Sequence, residues 1–529
     1  MARHRMPSPV LVLLALVLGQ APARAQPDPP VPAPATNTSP AGFDTNRLVT
    51  LDAYIRNYMR EHRIPGVAVS VVQGTNLVFA KGYGEGITPQ TPFKLASVSK
   101  SFTALAVMQL VEAGKLDLDA PVRTYLPWFQ TADEVESGKI TLRHLLYHTS
   151  GFSTSHRPHR EGATRDRNLP GELDPGTVQG LVRSFSRLHL TAPVGSRFEY
   201  SNVNYDILGA VVEVVSGEEF GRYVRSRIFD PLEMNRSHVS FDEARKHGML
   251  GHRYWFGHPA PFSSDDLGPE SIASGGLVST AEDLNHYVTA LLKGGLYRGR
   301  SILTPSGVER LFQKPVGGVN TENYALGWVV QDPNPRHRTI WHDGDAAGHK
   351  AFVALFPMQD FGFSVLINAN SYTSPVIFQL CQNAAEILMG VPPRPMSGDP
   401  AVVVVTWTFI VLPWLQLLGL WRTVALLRQW RSGTPPQGTP LNWVRYWGLP
   451  LVANGLIALL NLWLLPRHFD ATLTLLLDVA PDYGILAALS GGFALVWGIV
   501  RSILVGRRLW RRGRRPDGPA APAVTEVPA

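Results

Sequence analysis

The sequence predicts an α+β protein: an antiparallel sheet flanked by N- and C-terminal helices, interrupted by a helical insert and followed by three transmembrane helices. Three observations predict it. Strand-like runs stand early and late in the globular region, helical patterns fill the space between and both ends, and three long uncharged runs follow.

The chain starts with "MARHRMPSPVLVLLALVLGQAPARAQ", a basic start, an apolar run from Val10 to Leu18 and Ala23-Arg24-Ala25. That pattern predicts a signal peptide over 1–25, with an apolar run too short to span a bilayer. "PDPPVPAPATNTSP" then makes 26–44 a Pro-rich linker with too little apolar content to pack. The globular domain covers 45–390. Its first element is a helix, because Leu51, Tyr54, Ile55, Tyr58 and Met59 form one apolar stripe. "GVAVSVVQ" and "NLVFAKGYG", split by "GT", predict a β-hairpin. "FKLASVSKSFTALAVMQLVEAG" predicts an amphipathic helix, with Val98, Phe102, Leu105 and Met108 at helical spacing and Gly114 as its stop. Helical segments divided by polar loops occupy about 100–270. "YALGWVVQ", "TIWHDGDAAGHKAFVALFP" and "FGFSVLINAN" predict consecutive strands, and "SPVIFQLCQNAAEILMG" a closing helix holding the lone cysteine, Cys381. One cysteine makes no intramolecular disulfide, and an apolar setting suits it as a core residue.

A linker, 391–400, precedes the apolar part, 401–505. Val402–Trp421, Trp447–Pro466 and Tyr483–Val500 are each long enough and apolar enough to cross a membrane. Pro413, Pro450 and Gly491-Gly492 are tolerated in such helices. "ATLTLLLDVA" is too short and predicts an interfacial segment. Arg422, Arg428, Arg431 and Arg445 lie between the first two spans, and seven arginines from Arg501 to Arg515 follow the third. The link between the second and third holds Arg467 against Asp470, Asp478 and Asp482. The positive-inside rule therefore makes the first link and the basic tail, 506–529, cytoplasmic and exports the globular domain, as the signal peptide independently requires. The expected location is a bacterial inner membrane with the domain on its outer side. Membrane-flanking arginines account for the net charge of +7, which argues against a nucleic-acid partner.

The chemistry starts at Ser97. Lys100, three residues on, lies on the same helix face, and in a desolvated cleft a lysine loses its proton readily enough to act as a base. The helix start also places backbone N–H groups where an oxyanion would form. None of the other eight lysines has a serine three residues before it. A second unit, Tyr200-Ser201-Asn202, precedes a helix. By itself it suits a cap and a packed ring. In the third, "WHDGDAAGHKA", His342 stands on a strand with Gly344 beside it, which permits close approach of a substrate backbone.

Ser-x-x-Lys, Tyr-x-Asn and His-x-Gly, in this order on such a frame, resemble the penicillin-recognising serine hydrolases. That group includes class C β-lactamases, D-aminopeptidases, D-alanyl-D-alanine carboxypeptidases and related esterases. "TLRHLLYHTSGF", "FEYSNVNYDILG" and "ASGGLVSTAEDL" extend the likeness over about 45–390. The resemblance implies that Ser97 is acylated, that Lys100 and Tyr200 move its proton, and that Asn202 binds the lysine or a substrate amide. It further implies that His342 and Gly344 flank the cleft and that the N–H groups of Ser97 and Asp345 form an oxyanion hole. It implies no cofactor. Two departures stand out. His-Asp-Gly replaces Lys-Thr-Gly, so a fixed cation for a β-lactam carboxylate is lost, which tilts towards a peptidase or esterase. Asp345 stands where relatives often have a small residue. Facing the cleft it would select cationic or amide-bearing substrates, and otherwise it is a solvent-facing carboxylate.

His144 and His148 have a zinc-like i, i+4 spacing without a third ligand, so no metal is expected. No G-x-S-x-G elbow occurs. The expected substrate is a small peptide, amide or ester. Leader, hydrolase domain and three spans resemble periplasmic peptidases that remove an acylated D-amino-acid leader from prodrug peptides. A cell-wall carboxypeptidase, a lipid-directed esterase and a sensor acylated once remain alternatives, although the short tail holds no effector domain.

Overall fold

The computed structural model describes residues 44–153 and 176–513, apart from 256, 263–267, 316–318, 333–336, 372–375, 396–399, 433–435, 437–438 and 469–471. The expected leader, nearly all of the Pro-rich linker and the tail beyond Gly513 lie outside the described residues.

Helix α1 (Thr45–His62) opens the fold, capped by the Asp44 carboxylate, which accepts from the Asn46 N–H. The predicted hairpin follows as β1 (Val67–Gln73) and β2 (Asn76–Tyr83), and β3 (Phe93–Lys94) leads into a 3₁₀ turn, Ala96–Val98. Helix α2 (Ser99–Glu112) then runs through the centre of the domain. The insert includes α3 (Asn202–Ser216), the hairpin β4 (Gly251–Trp255) and β5 (His258–Phe262), and β6 (Val278–Ser279). Helix α4 (Ala281–Leu292) returns the chain towards β7 (Val329–Gln331), β8 (Thr339–Ala346), β9 (His349–Phe356), β10 (Phe361–Ile367) and β11 (Ala369–Asn370). Helix α5 (Val376–Leu388) closes the domain.

The main sheet has six antiparallel strands in the order β2-β1-β10-β9-β8-β7. Early and late segments of the chain meet at β1 and β10, with Val67 opposite Ile367 and Gln73 opposite Phe361. Side chains alternate between the two faces. Val67, Val69, Phe352, Phe363 and Trp341 pack with α1 and α5 on one face, while Ala68, Val353, Leu366 and Ile340 join the larger core of α2 and the insert on the other. Buried Cys381 belongs to the α1–α5 core.

Two expectations change. The Ser97 segment is not amphipathic: from Pro92 to Met108 every residue is buried except Ser97 itself. The sequence spacing hid this because Ala and Ser on the remaining faces are small enough to bury against neighbours as readily as to face water. The "YALGWVVQ" strand shortens to Val329–Gln331, because Gly327 (φ +76°) turns the chain sharply beside α2.

Among the described residues, three helices are long and apolar enough to cross a membrane. They are α6 (Pro400–Ser432), α7 (Pro440–Arg467, interrupted by two π turns) and α9 (Pro481–Gly513), with the short α8 (Leu473–Val479) before the last. Helices α6 and α9 outrun the predicted spans because arginines sustain a helix well and carry it past its apolar part. The bundle packs closely where Gly491 and Gly498 of α9 face Asn461 and Asn454 of α7. Polar ties join the helices: Gln416 donates to the Ser490 carbonyl (2.9 Å), and the buried Arg501 donates to Thr423 (3.1 Å) and the Tyr446 carbonyl (2.7 Å).

Candidate active site

Ser97 is the partly accessible point of a buried segment, and three contacts hold that segment in place. The Leu95 N–H donates to the Leu277 carbonyl (2.9 Å), and the Leu277 N–H donates back to Ser99 Oγ (3.1 Å). Thr103 Oγ1 donates to the Ala273 carbonyl (2.6 Å). The partners lie in or beside a π turn, Ile272–Gly276, so the "ASGGL" phrase forms the rear wall of the nucleophile helix. Immediately before the serine, Ala96 has φ +46°, a left-handed conformation that costs a non-glycine residue roughly 1–2 kcal/mol.

Lys100 is 0 % exposed. Its Nζ lies 3.1 Å from Ser97 Oγ, 2.7 Å from Asn202 Oδ1 and 2.7 Å from the Ser274 carbonyl. The Tyr200 and Tyr205 rings stand 4.9 and 5.8 Å from the same nitrogen. Burial pulls the ammonium down to about 7, against the opposing pull of Asp206 and Asp343. The phenol of Tyr200 is hydrogen-bonded to Ser97, and burial holds its proton on well above the usual range. Asn202 is the first residue of α3 and Ser201 its N-cap, so the amide of Asn202 serves the lysine rather than the helix end.

The strand β8 passes directly in front of this turn. Its alternation sends His342 and Gly344 towards Ser97, and Asp343 and Asp345 to the opposite face. Here the structure corrects one expectation, for Gly344, and decides between the two readings of Asp345 in favour of the exposed one. The close approach at Gly344 is made by the chain's own backbone: a Cβ there would stand 2.1 Å from the Leu95 carbonyl oxygen and 3.0 Å from the Ser97 nitrogen. The Asp345 carboxylate does not enter the cleft. It accepts from Lys350 (2.7 Å) and Asn370 (3.1 Å) behind the sheet, where Lys350 also binds Asp343. Only the backbone of Asp345 belongs to the site face.

His342 is 3 % exposed, and burial takes its imidazolium down to about 4. Its Nδ1 lies 2.6 Å from the Asp343 carbonyl and therefore carries the proton, so Nε2 accepts from the Tyr324 hydroxyl at 3.0 Å. Sequence reasoning missed Tyr324 because a tyrosine in an apolar run reads as packing. It also treated His144 and His148 as a pair. In the fold His144 Nδ1 accepts from the Thr141 N–H at a helix start (3.2 Å), whereas His148 lies beneath Tyr200 with ring centroids 4.3 Å apart. No three metal-binding side chains converge among the described residues.

A serine hydrogen-bonded to a buried lysine and a tyrosine is thus set between an antiparallel sheet and a helical insert. The chain belongs to the Beta-lactamase family, whose model matches residues 51–378. It is 27 % identical over 339 residues to "Protein flp" of Staphylococcus aureus (strain N315), covering 62 % of this chain and 64 % of that protein. It is 28 % identical over 343 residues to "Unguisins hydrolase ungD'" of Aspergillus campestris, covering 60 % of each. The chain thus spans less than two thirds of the length of these relatives. Among solved structures, the octameric penicillin-binding protein homologue from Pyrococcus abyssi superimposes with a TM-score of 0.53 and 28 % identity, over 65 % of this chain and 78 % of that one.

Three buried neutral histidines make the domain acid-sensitive. Burial lowers His148, His342 (to about 4) and His349 (to about 3) from the ordinary imidazole value. Each takes up a proton on unfolding at pH values below about 6.5, so stability is full above that value and falls as pH drops towards the folded pKa. The expected loss is about 1 kcal/mol per pH unit for each histidine. Thermal melts of the purified protein from pH 7.5 to 4.5 check this, and an unchanged midpoint contradicts it.

Proposed function

We propose that the protein is a membrane-anchored serine peptidase or amidase that works through a Ser97 acyl-enzyme on D-amino-acid-containing or acylated prodrug peptides. The observation that carries the mechanism is the bond set of Lys100. The Asn202 amide oxygen and the Ser274 carbonyl can only accept, so they take both N–H bonds of a neutral amine and aim its lone pair at Ser97 Oγ. In this reading the Ser97 proton passes to Lys100 as Oγ bonds to the substrate carbonyl carbon. Tyr200 relays a proton to the departing amine, and its phenol is recharged from Lys100. Water then attacks the acyl carbon, gives its proton back along the same path and releases the acid with Ser97 restored. The N–H groups of Ser97 and Asp345 are the expected oxyanion donors.

Specificity follows from charge. With His342 of β8 neutral and Lys350 of β9 committed behind the sheet, neither residue offers the cleft a fixed cation. A substrate therefore needs no free carboxylate there, which favours internal amides over penicillin-like acids.

The test is to label the full-length protein with a fluorophosphonate and with fluorescent penicillin, map the adduct, and measure turnover of N-acyl-D-amino-acid peptides and amides against p-nitrophenyl esters. The expected adduct is on Ser97, it is absent from Ser97→Ala, and amides turn over. Label elsewhere ends the mechanism. Ester turnover alone makes the enzyme an esterase, and a stable adduct without turnover makes it a sensor.

A further inference from the structure

We propose that His148 is a positioning residue that clamps the backbone on both sides of Tyr200 and so sets its phenol on Ser97. The inference rests on the reading of Tyr200 as the proton relay. It comes from three contacts made by one residue. The His148 carbonyl accepts the Glu199 N–H at 2.8 Å. The His148 ring, through Nδ1, accepts the Ser201 N–H at 3.1 Å. Between these two bonds the imidazole lies against the Tyr200 ring, centroids 4.3 Å apart and planes inclined by 37°.

The backbone geometry explains how one residue reaches both sides. His148 has φ +56°, in the left-handed region that a histidine seldom occupies. That turn at the end of the Leu142–Leu146 helix directs the carbonyl and the side chain of His148 to the same extended segment, Glu199–Ser201. Its tautomer is set by its neighbours. A backbone N–H can only donate, so Nδ1 must accept and the proton resides on Nε2. The amide of Asn204 adds a second donor to Nδ1 at 2.9 Å, and its own orientation is fixed by Ser150, whose hydroxyl bonds Asn204 Oδ1. The ring is 0 % exposed, with Lys100, His342, Tyr200, Tyr205 and Tyr324 as its ionisable neighbours. Protonation would turn an N–H of His148 against two donors, and burial disfavours it further.

Two substitutions separate this role from packing. Glycine and asparagine both adopt positive φ readily, so His148→Gly and His148→Asn each keep the backbone turn. Asparagine also returns an acceptor oxygen near the place of Nδ1, while both remove the ring. Acylation of the full-length protein by an N-acyl-D-amino-acid amide, followed as release of the amine that Tyr200 is read to protonate, is the readout, with thermal melts alongside. His148→Gly is expected to acylate roughly a hundredfold more slowly, the scale of a displaced catalytic group, and His148→Asn within about tenfold of wild type. In a Tyr200→Phe background, His148→Gly is expected to cost less than about threefold more, because the group it positions is already gone.

Equal losses for Gly and Asn, or a full hundredfold loss on top of Tyr200→Phe, overturn the proposal while leaving the Tyr200 relay standing. A Tyr200→Phe enzyme that acylates at the wild-type rate overturns the relay and this proposal together. Should His148→Gly fail to melt cooperatively, Asn204→Asp tests the same acceptor with the ring in place. Its carboxylate would draw a proton onto Nδ1 and displace the Ser201 bond, so at least a tenfold slower acylation is expected. Acylation of Asn204→Asp at the wild-type rate overturns the proposal.

Discussion

Lys100→Met is expected to slow acylation of Ser97 by roughly a thousand- to ten-thousand-fold, the scale of losing a general base that acts as a unit with its nucleophile. Methionine fills much of the lysine volume, so the buried segment should remain packed. What disappears is the lone pair 3.1 Å from Ser97 Oγ. The wild-type pH profile carries the same argument. Only the neutral amine can accept the serine proton, and burial places its titration at about 7. Acylation should therefore rise with pH through about 7 and level off above it. His342, neutral down to about 4, should add no break near pH 6. Asp206→Asn removes a carboxylate that opposes the loss of the Lys100 proton, so the rising limb should move to lower pH. Timed fluorophosphonate labelling from pH 5 to 9 reads all three expectations. A flat profile between pH 6 and 8, or wild-type labelling of Lys100→Met, would remove the lysine from the mechanism.

The second large effect is expected from Gly344→Ala, a change of one methyl group. An ideal Cβ at this position would meet the Leu95 carbonyl oxygen at 2.1 Å and the Ser97 nitrogen at 3.0 Å. Both are backbone atoms, so no side-chain rotation relieves the clash. Strand β8 is hydrogen-bonded to β9 throughout Ile340–Ala346 and cannot retreat without breaking that ladder. The turn carrying Ser97 must move instead. Overpacking of this kind costs about 1–3 kcal/mol, and a shift of about 1 Å at a reacting atom costs roughly a hundredfold in rate. The expected result is a folded protein with a lowered melting point and at least a hundredfold slower acylation. Acylation at the wild-type rate would show that β8 and the Ser97 turn are not rigidly coupled.

Much of the fold was legible because its signals are local. The stripe of α1, the hairpin β1–β2, the strand character of β8 to β10, the closing helix and all three spans follow from periodicity, turn residues and apolar length within single segments, whereas the turn that divides "TIWHDGDAAGHKAFVALFP" into β8 and β9 was not read. The site was legible in part. Ser97 and Lys100 share a helix face, so three-residue spacing suffices to pair them, and the Tyr-x-Asn and His-x-Gly units stood out by the company they keep. Tyr324 and His148 were not legible as site residues. Each reaches the site through a turn with unusual φ, at Glu322 and Asn323 and at His148 itself, and such turns leave no periodic trace.

The sequence by itself determined which groups are present for chemistry, in what chain order, and which segments are apolar enough to lie in a membrane. The tertiary structure decided what those groups can do. Lys100 gains its low affinity for a proton from burial, and its position beside Ser97 from acceptors 102 and 174 residues away in the chain. The face of β8 on which Asp345 lies was settled by pairing with β9, where Lys350 waits on the far side. Proton affinity and side-chain direction depend on the summed field and packing of distant segments, and those exist only once the chain has folded.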